Sequence, residues 1–166
     1  MEAGKDVANP PLHLWHPPLS GDIDIQIHAD GSWFHEGGEI KRQPLVNLFA
    51  SILRREEDGA YYLVTPVEKW RIQVEFLPLV IIDFELEQAG GKGQVLVVKT
   101  NTDKHYTVDA EQPLFLPEGS AIPAVKLPHG LAAAFNRASW YRLAELCEES
   151  DQGFVLLSSR AFYRVG

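Results

Sequence analysis

Cysteine occurs once in this chain of 166 residues, at Cys147. An internal disulfide and a cysteine-based zinc site are therefore excluded, as fits a reducing compartment. No apolar run approaches the ~20 residues that a membrane-spanning helix needs. The opening MEAGKDVANPP also lacks the basic start and apolar stretch of a secretion signal, so the expectation is a soluble, cytoplasmic protein with no membrane span. Positive charge is scarce as well: the formal net charge is -8, which argues against binding duplex nucleic acid through its phosphates. Catalytic signatures are missing too, with no G-x-S-x-G, no G-x-x-x-x-G-K-[ST], no G-x-G-x-x-G after a strand and no H-E-x-x-H.

What is present is enough for a core, at 45% hydrophobic and 23% charged residues. Residues 1–21 are rich in proline and are expected to lie extended as a tail, pinned to the body by Leu12, Leu14 and Trp15. Asp22 to His28 alternates polar and apolar residues, with Ile23, Ile25 and Ile27 on one face, the pattern of a half-buried strand. Pro44 opens a helix, and Leu45, Leu48, Phe49, Ile52 and Leu53 form its apolar stripe. AYYLVTPV and KWRIQVEF then read as two strands.

The second half repeats this plan, with strands from Val95 and His105, a helix over about Arg137 to Glu148, and closing strands in GFVLLSSRAFYRV. A shift of 94 positions lays Phe49 on Leu143, Ala50 on Ala144, Ile52 on Leu146 and Gly59 on Gly153, the pattern of an internal duplication. The expected architecture is α+β: a tail over 1–21, a first antiparallel β-plus-helix unit over 22–89, and a similar second unit over 90–166. Gly90-Gly91-Lys92-Gly93 reads as the hinge between them, and the proline-rich connection from Glu111 to Gly130 as a surface wrap.

The stretch DGSWFHEGG places Trp33 and Phe34 side by side, although neighbouring strand residues point to opposite faces. A two-residue turn at Asp30-Gly31 sets Phe34 with the isoleucines and leaves Trp33 and His35 on the other face, available to a ligand; a three-residue turn reverses the two aromatics. Charge points the same way. From Lys41 to Arg71 six basic residues stand against four acidic ones, leaving nine basic and nineteen acidic elsewhere. Such a basic island can receive a small anion, or it can be a solvated face of ion pairs. The H-x-x-H of His13 and His16 sits in the tail, where no helical face aligns the two for a metal.

These residues also carry a resemblance. The G-D-I-D start, the DGSWFHEGG hairpin, the helix ending in L-R-R and the L-V-T-P-V-E-K strand, within Gly21 to Ile72, resemble the bacterial family known as domain of unknown function 1285. The resemblance implies a duplicated α+β fold with a pleckstrin-homology-like second half. It also implies a groove between the halves for a nucleotide-like ligand, in signal transduction or a stress response. By motif it carries Trp33 and Gly37 to the hairpin, Arg54 and Arg55 to the helix end, and Thr65, Pro66, Glu68 and Lys69 to the strand.

The resulting expectation is a non-enzymatic module that binds a small anionic ligand without a cofactor or metal. Trp33 would stack a flat ring, and Arg42, Arg54, Arg55, Lys69 and Arg71 are the candidates for its anionic group, with His35, Thr65 and Glu68 beside them. The alternative is a protein-interaction module, which a deeply packed Trp33 would favour. A hydrolase working through His35 or His105 ranks last, because no nucleophile, base and orienter fall at motif spacing.

Overall fold

The computed structural model describes residues 9–151, 153–159 and 161–165, the side chains of residues 92, 162 and 164 apart. The first eight residues of the expected tail lie outside that range. The chain divides into two compact units, one of residues up to Pro78 together with His129–Leu131, the other of Leu79–Pro128 and the residues from Ala132 onward. The fold is mixed α+β.

In the N-terminal unit β1 (Gly21–Ile27), β2 (Trp33–His35) and β3 (Gly38–Glu39) precede α1 (Gln43–Ser51), and β4 (Leu53–Arg55), β5 (Tyr61–Val64) and β6 (Lys69–Val74) follow it. Their sheet runs in the order β3-β2-β1-β6-β5-β4. β1 and β6 are parallel, and the other neighbours are antiparallel. The isoleucine face is covered by α1: Ile25, Ile27, Leu53, Leu63 and Ile72 are buried, and Phe49 of the helix stacks on Trp33 with ring centroids 6.1 Å apart.

The hairpin corrects the expected facing of its two aromatics. Its loop is three residues long, since the His28 N–H donates to the Ser32 carbonyl and the Gly31 N–H to that of His28, with Gly31 at φ 90°. The Ser32 N–H and hydroxyl both bond the Asp30 carboxylate and fix the turn. Ile27 therefore faces Trp33 and Gln26 faces Phe34. Trp33 enters the core at 1% exposure, while Phe34 stacks on His28 on the opposite face, with centroids 4.1 Å apart. One extra loop residue flips every side chain beyond it.

The expected helix is cut short in the same way. Leu53–Arg55 pairs with β5 through Leu53↔Leu63 and Arg55↔Tyr61, so the ladder to β5 replaces the last helical turn. The helix stripe shifts accordingly: Val46 is buried and Leu48 is 43% exposed.

In the C-terminal unit β7 (Leu79–Gln88), β8 (Gln94–Thr100), β9 (His105–Thr107), β10 (Leu114–Phe115), β11 (Ala124–Lys126) and β12 (Ala132–Phe135) form a second six-stranded sheet, in the order β10-β11-β12-β7-β8-β9. α2 (Arg137–Leu146) follows, its amino end capped by the Asn136 side chain accepting from the Ser139 N–H. β13 (Glu148–Ser150), β14 (Gly153–Ser158) and β15 (Ala161–Arg164) then make a three-stranded meander.

With strands numbered one to six within each unit, both six-stranded sheets read 4-5-6-1-2-3, and in both the first and sixth strands pair in parallel. That common order supports the duplication. The 94-residue shift, however, matches β4–β6 with β13–β15. The segment expected to wrap over the surface resolves the difference, because it supplies β10 and β11 and buries Leu114, Ala124, Val125 and Leu127. Its meander takes the place beside β7, and the strands after α2 attach to β8 instead. There Gln94 Nε2 donates to the Leu157 carbonyl, and the Leu96 N–H to the Ser158 hydroxyl.

The boundary expected at residues 89 and 90 also moves. Gly90–Lys92 is a single turn of 3-10 helix joining β7 to β8, which pair from Ile81↔Thr100 to Gln88↔Gln94. It is a hairpin turn inside the second unit.

Candidate functional site

The hairpin of β4 and β5 builds the site. Strand alternation turns Leu53 to the core and Arg54 to the face opposite α1. On that face Arg54, Tyr62, Arg71 and Asp22 stand in one row across β4, β5, β6 and β1, each opposite the next. Cross-strand neighbours so placed interact directly. Arg54 donates from Nε and Nη2 to Glu56 at 3.2 and 2.7 Å, and Lys69 Nζ donates to the other Glu56 oxygen at 2.9 Å. Arg71 reaches Asp22 at 3.2 Å and the Tyr62 hydroxyl at 3.4 Å, and Tyr62 in turn donates to Asp58. Two cations approach the Tyr62 ring, with Lys69 Nζ 4.7 Å and the Arg71 guanidinium carbon 5.6 Å from its centroid.

Three of the expected basic residues are thus ion-paired with two carboxylates, Glu56 and Asp22, so this part of the basic island is engaged within the protein. The titration shifts follow from the pairing. Burial works to raise the Glu56 carboxyl, but the hydrogen bonds from Lys69 and Arg54 outweigh it and hold the group below the usual carboxylate range. Asp58 is lowered mainly by the Tyr62 hydroxyl, helped by the Ala60 N–H.

The extended N-terminal segment lies on the same face. Leu12, in a short 3-10 turn (Leu12–Leu14), packs with Tyr62 and Val64, and Trp15, Ile52 and Ala60 surround them. Leu14 points away at 66% exposure, against expectation. Arg54 Nη1 donates to the carbonyls of Leu12 and Trp15 at 3.0 and 2.9 Å, so this residue is a structural clamp with every nitrogen committed.

Arg55 differs from its neighbour. It is exposed, its Nε donates to the Gly59 carbonyl at 3.3 Å, and its guanidinium lies 5.8 Å from the Tyr61 ring centroid. Its two Nη nitrogens hold no hydrogen bond to a described residue. It lines an open depression of about 700 Å³ with His13, His16, Arg54, Glu56, Glu57, Asp58 and His129. His16 Nε2 lies 2.9 Å from the His13 carbonyl oxygen. His129 lines the depression, and it and the following Gly130 have φ near 63° and 72°. A side chain at Gly130 would put its Cβ 2.8 Å from the Arg55 carbonyl oxygen, so only glycine permits this close approach.

The remaining expected residues are dispersed. Trp33 is in the core. His35 is exposed on β2, 3.8 Å from the Glu36 carboxylate. Arg42 precedes α1 and is exposed. Thr65 closes the β5–β6 turn, its hydroxyl accepting from the Glu68 N–H at 3.0 Å, and the Glu68 side chain is exposed. His13, His16, Tyr62, Asp58 and His129 lie outside the ligand set expected from the sequence. The H-x-x-H spacing was the available signal for the first two, and nothing local marks His129, which arrives from a distant part of the sequence.

Among the described residues no group of three or more His, Cys, Asp or Glu side chains is placed to hold a metal ion. Burial pushes the Cys147 thiol up to about 11, leaving it protonated and a poor nucleophile. The C-terminal unit has its own shallow groove of about 460 Å³ beside Phe84, Leu86, Arg142 and Leu146, where Arg142 is tied to Asp83 at 2.7 Å and stacked over Phe84. Among the described residues no helix is long and apolar enough to cross a membrane.

Comparison with known proteins gives a consistent result. Residues 10–76 match the model described as domain of unknown function (DUF1285), N-terminal domain, and residues 78–165 match the C-terminal domain of the same family. The chain is similar to the crystal structure of a DUF1285 family protein from Silicibacter pomeroyi DSS-3, with 41% identity, a TM-score of 0.85 and coverage of 95% of this chain and 87% of that one. It is also similar to one from Shewanella baltica OS155, with 35% identity, a TM-score of 0.60 and coverage of 73% and 90%. The chain matches no curated protein.

Proposed function

The chain belongs to the DUF1285 family across both of its units, and on that footing we propose that it is a non-enzymatic binding module for a small anionic ligand of nucleotide type, acting in signal transduction or a stress response. The observation that carries the proposal is Arg55, a cation unpaired with any described carboxylate, facing a depression that three imidazoles also line. A planar guanidinium with open N–H groups matches a phosphoryl or carboxylate oxygen pair. The volume falls within the range of roughly 300 to 1,000 Å³ common for small-molecule sites. Glu56 and Asp58 are engaged by Lys69, Arg54 and Tyr62, so two of the three carboxylates lining the depression are already committed within the protein. Trp33 has no part in this version of the site.

Thermal shift with ADP and with inorganic pyrophosphate tests it. A rise in the melting temperature of wild type that is lost in Arg55→Gln supports the site. An equal rise in both proteins, or none in either, overturns it. A response to ADP alone assigns recognition to the nucleoside as well as the phosphates.

A second reading, a protein-interaction module, is favoured by the burial of Trp33 and by the apolar residues around the β5–β6 turn, where Val67 is 78% and Leu19 46% exposed. It predicts a specific co-purifying partner, lost in Val67→Asp, and no melting response to either anion.

A further inference from the structure

None of the three imidazoles in the depression is carried by the sheet, His129 lying in the 3-10 turn Pro128–Gly130. His13 and His16 ride on the segment from Pro10 to Ser20, upstream of β1. That strap is held by three separate devices. Leu12 and Trp15 pack on Tyr62, Val64, Ile52 and Ala60. Arg54 Nη1 donates to the carbonyls of Leu12 and Trp15. Ser20 donates its N–H to the Lys69 carbonyl at 2.7 Å, and its hydroxyl accepts from the Lys69 N–H at 3.1 Å. Between Trp15 and Ser20 lie Pro17 and Pro18, which keep the strap extended and lower the entropy lost when it docks.

Arg54 joins the strap to the site. One end of its guanidinium holds the strap carbonyls and the other holds Glu56, and Arg54 lines the same depression as Arg55, His13 and His16. We infer that the strap is a latch for the anion site, with docking of residues 10–20 and occupancy of the depression thermodynamically linked through Arg54, which acts as a positioning residue. This rests on the anion site proposed above. An anion that gathers His13 and His16 toward Arg55 binds the docked strap better than the released one and stabilises docking by the same factor, since linkage is reciprocal.

The test is hydrogen–deuterium exchange of the peptide covering residues 9–20 in the full chain, with and without inorganic pyrophosphate, alongside calorimetric titration of pyrophosphate. Three variants are needed. Arg54→Gln removes the clamp, Leu12→Ala loosens the strap by packing alone, and Arg55→Gln removes the ligand contact. The latch predicts that pyrophosphate slows exchange of the strap in wild type. Arg54→Gln and Leu12→Ala should both speed exchange in the free protein and weaken pyrophosphate by about fivefold or more, the lower end of ordinary coupling. Arg55→Gln should weaken pyrophosphate and leave strap exchange in the free protein as in wild type. If wild type binds pyrophosphate with strap exchange unchanged, and Leu12→Ala binds it equally well, the latch is overturned and the anion site stands. If wild type does not bind pyrophosphate, the site itself falls and the latch with it.

Discussion

Trp33 sits in the hairpin that most resembles the family signature, yet its side chain is part of the core, stacked on Phe49 and opposite Ile27. Its indole Nε1 has no hydrogen-bond partner among the described residues, so the ring contributes through packing. Trp33→Ala should therefore cost about 3 to 5 kcal/mol of stability, the usual toll for emptying a large aromatic site. Trp33→Phe should recover most of that, because no hydrogen bond is lost with the indole. Chemical denaturation of both variants checks this, and a Trp33→Ala protein with wild-type stability would contradict it. Glu56 supports a pH prediction. Its folded carboxyl lies below the ordinary value of 4.5, so its contribution to stability is present above about pH 4.5 and is lost as pH falls through the folded value. Glu56→Gln should flatten the fall in stability on that acid side, measured by denaturant midpoints between pH 6 and pH 3 (~1 unit either side of the usual carboxylate range).

At the level of elements, most strands and both helices were legible because their patterns are local. The Ile23, Ile25, Ile27 alternation marks β1 and Pro44 marks the start of α1. What local patterns could not show was decided by pairing. The loop between β1 and β2 took three residues, and that single residue exchanged Trp33 with Phe34. Arg54 and Arg55 follow the helical stripe in sequence and read as the helix end, but β5 captures them as a strand. The proline-rich stretch from Glu111 to Gly130 reads as surface, yet Leu114 and Val125 bury within the β10–β12 meander, which needs β7 as its neighbour. β7 is therefore central to the second unit, pairing with both β8 and β12. A fragment of residues 90–166 lacks that strand and should show no dispersed amide spectrum, whereas one of residues 79–166 should. Equal dispersion from both would mean that the Gly90–Gly93 turn is a true boundary.

For the molecule as a whole, the repeated 4-5-6-1-2-3 order shows one plan used twice, with α1 set between the third and fourth strands in the first unit and α2 after the sixth in the second. The two copies have diverged where chemistry can reside. The first carries the Arg54, Tyr62, Arg71 row with a strap over it, and the second covers Phe84 with Arg142 and adds a third sheet. The candidate site is only half legible in the sequence, because charge counting finds the basic island and its acidic residues but not which of them pair: Glu56 takes Arg54 and Lys69, and Asp22, from outside the island, takes Arg71. Of the five basic candidates, Arg54, Lys69 and Arg71 are ion-paired and Arg42 does not line the depression, which singles out Arg55. His129 comes from more than seventy residues downstream of Arg55 in the sequence, a proximity that only the folded chain reveals. The most direct test of this account is an amide and imidazole chemical-shift map of the full chain titrated with inorganic pyrophosphate. The account predicts saturable shifts centred on His13, His16, Arg55, Glu57 and His129, with the Trp33–His35 hairpin and Arg42 unmoved. Shifts centred on that hairpin, or none at all, would contradict it.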